Sequence, residues 1–188
     1  MFIYPRTFRR LRRGPQVILP KDIGMIIAYS DMSKESVCVD AGTGSGWLAL
    51  ALARLCKHVY SYDVRPEFIE IAERNRQFLS LGNVTFKNKD VFKSIDEKEV
   101  DLVTLDLPSP EKALRNVKRA LRPGGTVVCY LPNTEQVKRC VEKLEKLGFS
   151  EIYTVEAIVR DMLVRKEGTR PSTKGIWHTG YLTFSHKA

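Results

Sequence analysis

Residues 39–47 read Val-Asp-Ala-Gly-Thr-Gly-Ser-Gly-Trp, with glycines at alternate positions between an apolar, β-branched run and an apolar helical one. Glycines so placed allow a tight strand-to-helix turn, a close backbone approach to a ligand and tight packing of the helix behind it. The helix N-terminus behind the loop adds N–H donors that suit an anionic group. This junction constrains the fold more than any other feature of the chain. It predicts an α/β domain that holds a nucleotide-like ligand at the carboxyl edge of its sheet.

The rest of the 188 residues alternates in the same sense. Strands are predicted at 36–40, 58–63, 83–88, 100–107 and 126–131. The run at 100–107 is almost continuously apolar, as expected of a strand buried on both faces. Helices are predicted at 47–55, from Pro66, from Pro110 to Leu121, and from Asn133 to Gly148. Asn133 with Gln136 three residues on fits a capping box. Residues 149–164 read as one long strand, 165–174 as a polar loop and 177–186 as a last strand antiparallel to the one before. Five βα units and a terminal β-hairpin imply a parallel sheet with helices on both faces.

Apolar residues form 43% of the chain, an ordinary globular share, and one domain is expected at this length. Lys and Arg number 31 against 22 acids, a net charge of +9 that suits a polyanionic partner such as nucleic acid. Residues 1–14 carry five arginines and no acid and read as a basic arm that contacts RNA, with the folded domain at 15–188. The four cysteines have no metal-site spacing. Cys38 and Cys129 sit in apolar runs as buried small hydrophobes. A reducing, cytoplasmic setting is expected, and no apolar run reaches membrane-span length.

Asp40, ahead of the first glycine, would repel a dinucleotide pyrophosphate. It suits a ligand with a cationic amino group, as S-adenosylmethionine has. Asp63 ends the second strand about 20 residues on, where an acid bonds ribose hydroxyls. Asp90, with Val91 beside it, ends the third strand and is a candidate acceptor for an adenine amino group.

Asp40 to Gly46 resembles motif I of class I methyltransferases. Three further stretches resemble the tRNA (adenine-N1)-methyltransferase family, which modifies a T-loop adenosine. They are residues 13–22 (RGPQVILPKD), 105–110 (LDLPSP) and 178–184 (HTGYLTF), with 130–137 (YLPNTEQV) in support. The resemblance implies a Rossmann-like class I methyltransferase with a mostly parallel seven-stranded sheet and an antiparallel last strand. It implies S-adenosylmethionine held by Asp40, Gly42, Thr43, Gly44, Ser45 and Gly46, with Gln16 closing the pocket, Asp63 on the ribose, and Asp90 and Val91 at the adenine. Asp106 would face the target base. Tyr130, Arg165 and His178 are the substrate-side candidates, and the partners implied are tRNA and further copies of the chain, as a homo-oligomer such as a tetramer. Members usually carry a small β-rich domain ahead of the Arg-Gly-Pro-Gln stretch, where about a dozen residues stand here, and many have Trp where this chain has Glu111. Two other readings stay open: a small-molecule methyltransferase of the corrin-biosynthesis type, and a non-catalytic RNA-binding subunit.

Overall fold

The computed structural model describes residues 5–14 and 16–188. Its centre is a seven-stranded sheet in the order β3-β2-β1-β4-β5-β9-β6. β1 (Val37–Ala41), β2 (His58–Tyr62), β3 (Val84–Lys87), β4 (Val100–Leu105) and β5 (Leu121–Leu131) pair in parallel. β9 (Tyr181–Lys187) runs antiparallel between β5 and β6 (Phe149–Glu156). The chain reverses strand order at β1 and β4, so their carboxyl ends flank the crevice where ligands bind in open α/β sheets.

Alternation along the strands divides the core in two. Cys38, Leu102, Val128 and Tyr130 point to one face, with α1 (Pro20–Tyr29) and α2 (Trp47–Ala53). Val39, Val103, Val127, Cys129 and Leu131 point to the other, with α4 (Leu114–Ala120) and α5 (Thr134–Lys146). α3 (Pro66–Phe78) starts on a proline at its first position, where no N–H is needed. The Cys38 and Cys56 thiols lie in the first core and those of Cys129 and Cys140 in the second; all four are buried and free.

Several boundaries differ from the sequence reading. The helix over 20–29 was not foreseen. The fourth helix stops at Ala120, and Leu121 already pairs with Val100 across an irregularity in the β4–β5 ladder. The long strand expected at 149–164 breaks after Glu156, which pairs with Tyr181, the first residue of β9. Beyond that pair no neighbouring strand among the described residues continues the ladder, and the chain leaves the sheet. The expected loop at 165–174 is half of a separate hairpin, β7 (Met162–Arg165) with β8 (Gly168–Pro171), which turns at Lys166 and Glu167. Gly168 and Pro171 suggested a loop, yet proline is tolerated on such an unpaired edge.

The basic segment is part of the domain. Phe8 and Leu11 are buried in the first core, and Phe8 meets Trp47 edge-on at 5.4 Å. Buried Asn75 of α3 fastens the segment. Its Nδ2 donates to the carbonyls of Arg12 and Ser45, each at 2.8 Å, and its Oδ1 accepts from the Arg12 N–H at 2.8 Å. One amide therefore ties the arginine-rich segment, the glycine loop and α3 together. Residues 1–4 of the expected arm lie outside the described residues.

Removing that amide strands the buried Ser45 carbonyl and leaves the Arg12 N–H and carbonyl without their partner, and a buried group so stranded costs about 1–3 kcal/mol. Asn75→Ala should lower unfolding free energy by about 2–4 kcal/mol, seen as an earlier urea midpoint at unchanged slope.

Candidate active site at the carboxyl edge of the sheet

Three carboxylates converge where β1, β2 and β4 end. Asp40 on β1 stands in register with Ser61 on β2 and Thr104 on β4. Its Oδ2 accepts from the Ser61 hydroxyl at 2.6 Å and its Oδ1 from Thr104 at 2.8 Å. Since the Ser61 proton goes to Asp40, the Thr43 hydroxyl is the donor in its 2.7 Å contact with Ser61. Burial pushes the Asp40 carboxyl up from its usual range, and the two hydroxyls oppose that shift.

Asp63 lies just beneath the glycine loop. Its Oδ2 accepts from the Gly44 N–H at 3.0 Å, and its Oδ1 from the N–H and Nε of Arg65 at 3.0 and 3.2 Å. The Gly42 and Thr43 N–H groups donate to the Tyr62 carbonyl, and that of Gly46 to Thr43. Most donors of the loop itself are thus spent on the fold, which leaves the expected role of an N–H donor set to the start of α2 behind it. The Ser45 hydroxyl, by contrast, is buried with no partner among the described residues.

Two of the glycines are required by space. Gly42 has φ +93°, and a Cβ there would lie 2.1 Å from the Asp106 carbonyl oxygen. Gly46 has φ +81°, and its Cβ would meet that of Ala72 on α3 at 3.0 Å. Gly42 brings the ends of β1 and β4 together; Gly46 lets α2 pack on α3.

A cavity of about 450 Å³ opens above this edge, within the size range of ligand clefts. Of the sequence candidates, Gln16, Asp40, Gly42, Thr43, Gly44, Ser45, Asp106 and Tyr130 line it. Gly46 and Asp63 support the loop from behind. Asp90 Oδ1 accepts from the Phe92 N–H at 2.8 Å, and Val91 is buried in the second core; neither lines the cavity. Arg165 is exposed on β7, away from it. His178 sits at its rim, donating from Nε2 to the carbonyl of Pro132, a lining residue, at 3.0 Å and from Nδ1 to Glu156 at 2.6 Å. Both acceptors favour the imidazolium, the Pro132 carbonyl most, so its pKa is raised.

Arg65, Phe68 and Gln136 also line the cavity and were not singled out as site residues. The Arg65 guanidinium stacks 3.9 Å from the Phe68 ring centroid. Arg65 stands two residues past Asp63, a position that could have drawn attention. Gln136 was read only as part of a helix cap.

Asp106 is half-buried, and its carboxylate accepts no hydrogen bond among the described residues. Burial raises its pKa to about 7, with the charges of Asp40 and Asp63 adding to the shift and Arg65 opposing it. The cavity thus joins a glycine cradle and an acid-rich floor to a wall made by Asp106, Tyr130 and Gln136. Such a site suits a ligand bearing positive charge beside a hydrogen-bond donor.

Comparison with known proteins agrees with that chemistry. The family model described as the tRNA methyltransferase complex GCD14 subunit matches residues 9–170. The chain is 40% identical to the tRNA (adenine(57)-N(1)/adenine(58)-N(1))-methyltransferase TrmI of Methanocaldococcus jannaschii, covering 93% of this chain and 73% of that one. It is 35% identical to the tRNA (adenine(58)-N(1))-methyltransferase TrmI of Thermus thermophilus, covering 92% and 69%. The crystal structure of the tRNA methyltransferase TrmI from Aquifex aeolicus superposes with a TM-score of 0.90 at 31% identity, covering 97% of this chain and 74% of that one.

The raised pKa of Asp106 has a stability consequence. Between the usual 3.8 and about 7 the folded protein binds a proton that the unfolded chain releases. This group's contribution to stability therefore falls as pH rises through that window and is constant above it. In the ligand-free protein, Asp106→Asn should melt higher than wild type by a margin that widens from about pH 4 to about pH 7 and then stays level, as followed by calorimetry across pH.

Proposed function

The chain belongs to the family described as the tRNA methyltransferase complex GCD14 subunit, and on that premise we propose that it transfers the methyl group of S-adenosylmethionine to N1 of a T-loop adenosine in tRNA. The observation that carries this reading is the pairing of a glycine cradle with Asp106 across a single cavity. The small-molecule reading makes no use of the basic charge. The non-catalytic reading is disfavoured by an intact loop and an intact set of acids.

The residues fit S-adenosylmethionine. The unpartnered Ser45 hydroxyl offers a hydrogen bond at the cradle, and Asp40 places negative charge where the ligand's ammonium group would sit. Gln16 stands over the cradle from the segment ahead of α1. Asp63 has three of roughly four acceptor positions in use, which leaves one for a ribose hydroxyl. An adenine-side role for Asp90 and Val91 rests on the family resemblance alone, since neither lines this cavity. When bound, this cofactor supplies an electrophilic methyl group on a sulfonium.

The protein's own part is mainly positioning, which can supply much of the acceleration. Adenine N1 needs no proton removed before attack. Asp106, once ionised, accepts a hydrogen bond from the adenine N6 amino group, orients the ring and offsets the positive charge that develops on it. Tyr130 forms the wall behind the base, its hydroxyl held by the Thr179 carbonyl at 2.6 Å. His178 at the rim and Arg165 on the hairpin are assigned to the RNA. The adenosine must be extruded from its stack to reach this depth. Phosphate contacts come from the basic segment Arg9–Arg13, which runs into the cavity wall at Gly14, and from Arg165, Lys166 and Arg170. No helix among the described residues is long and apolar enough to cross a membrane. The proposed working place is the cytoplasm.

Homo-oligomerisation is part of this reading. Ile158, Val159, Met162 and Val164 expose apolar surface around the β7–β8 hairpin, which the main sheet does not cover. A second copy fits this face. Sedimentation analysis should find an oligomer for wild type and a smaller species for Val164→Glu; a monomeric wild type would sink this assignment.

Incubation with S-adenosylmethionine and unmodified tRNA transcript, followed by digestion and mass spectrometry, should reveal 1-methyladenosine. Asp106→Ala should reduce its rate of formation by about 100-fold or more while cofactor binding persists. Full turnover by that variant would refute the role of Asp106, and cofactor binding without any tRNA methylation would favour a small-molecule substrate.

A further inference from the structure

Gln136 departs from its local rule. As the third residue of α5 its side chain would be expected to reach back to the N–H of Asn133 and complete a capping box. The forward half of the box is present, with the Asn133 side chain accepting from the Gln136 N–H at 3.0 Å. The Gln136 side chain instead turns away, and its Nε2 donates to the Pro108 carbonyl at 2.9 Å. Pro108 lies two residues beyond Asp106, in the same loop.

That bond sets the orientation of the amide. A carbonyl only accepts, so the nitrogen must face Pro108 and the oxygen must face the other way. Gln136 is 9% exposed, it lines the cavity, and its Oε1 has no partner among the described residues. A buried acceptor left unpaired is costly, and such groups call for a ligand or a functional account. The cavity wall that includes Asp106 and Pro108 therefore also holds a second acceptor, neutral, enclosed and fixed in orientation by Pro108.

Two acceptors lining one cavity favour a group that only donates. An exocyclic amino group on a ring has two N–H bonds and meets both at once; a ring carbonyl at the same position would face both lone pairs. We propose that Gln136 Oε1 accepts the second N6 proton of the target adenine and is a specificity-determining residue for an amino-bearing base. This rests on the assignment of tRNA adenosine as the substrate. Asp106 and Gln136 would then divide the amino group between them, with the carboxylate carrying the charge and the amide reading the second hydrogen.

The test uses Gln136→Leu, which keeps the bulk and removes the acceptor, together with Gln136→Glu. S-adenosylmethionine affinity by calorimetry, melting temperature, and kcat/KM for tRNA are measured on each. Binding is also compared between tRNA carrying adenosine and tRNA carrying purine riboside, which lacks the amino group, at the modified nucleotide. For Gln136→Leu the expected result is cofactor affinity within about twofold of wild type, an unchanged melting temperature, and kcat/KM lower by about 10- to 100-fold. The preference for adenosine over purine riboside should shrink, because only the amino-bearing substrate uses the acceptor. Gln136→Glu retains an oxygen acceptor and should recover part of the loss as the pH is lowered, when its carboxyl can again donate to Pro108. Equal losses on both RNAs, weakened cofactor binding, or unchanged kcat/KM would each overturn the proposal. Wild type that methylates no tRNA would refute the substrate assignment instead, which keeps the two failures apart.

Discussion

The carbonyl oxygen of Asp106 occupies the place where a side chain on residue 42 would begin, 2.1 Å from that hypothetical Cβ. Glycine alone can sit there, and its positive φ lets the chain turn under the neighbouring strand end rather than over it. The meeting of β1 and β4 at this point sets the depth of the cavity and the direction of the Asp106 side chain. The loop that follows is then stitched down by Tyr62 and Asp63, and α2 departs at an angle that only a glycine at 46 allows. The site is thus a consequence of one backbone contact more than of any side chain.

That contact also concentrates charge. Asp40, Asp63 and Asp106 end three neighbouring strands, and the first two add to the cost of ionising Asp106. Two hydroxyls from the flanking strands relieve Asp40, while Asp63 accepts hydrogen bonds from Arg65 and the Gly44 N–H. Asp106 has no hydrogen-bond donor of its own among the described residues; burial first and the two neighbouring charges second raise its pKa, and Arg65 only partly opposes them. A group in that state gains most from a cationic ligand and a hydrogen-bond donor arriving together. Perturbed acids of this kind concentrate at functional sites.

The parallel sheet, its order of strands and helices, and the antiparallel last strand were readable from periodicity and from the glycine junction. Part of the cavity lining was readable too, because strand-end acids and glycines have specific geometric uses and the family resemblance added Gln16 and Tyr130. What escaped the sequence was non-local. Nothing near residue 75 shows that an asparagine will bridge Arg12 and Ser45, since that depends on α3 packing against a segment 63 residues away. The helix at 20–29 lacks a side-chain cap, and its N-terminal boundary is marked only by Pro20. Gln136 carried a local signal that named the wrong partner: the capping-box pattern is correct for its backbone, and the tertiary fold claims its side chain. The hairpin at 162–171 was obscured by a glycine and a proline that a free edge tolerates.

Lys21 and Asp22 add a constraint of order in time. The Lys21 ammonium, nearly without exposure, donates to Asp22, to the Ala157 carbonyl and to the Thr179 hydroxyl, and the Thr179 hydroxyl donates to Asp22 in turn. A buried ion pair becomes tolerable only when its remaining hydrogen bonds are made. Here their makers lie 136 and 158 residues downstream of Lys21. As the ribosome releases the chain, α1 therefore carries a charge pair whose hydrogen bonds stay unfinished until Thr179, just ahead of β9, has emerged. The same Thr179 holds the Tyr130 hydroxyl, so the wall of the cavity closes at the same moment. A nascent or truncated chain could build the glycine loop early, but it would lack a finished chamber until Thr179 had been translated.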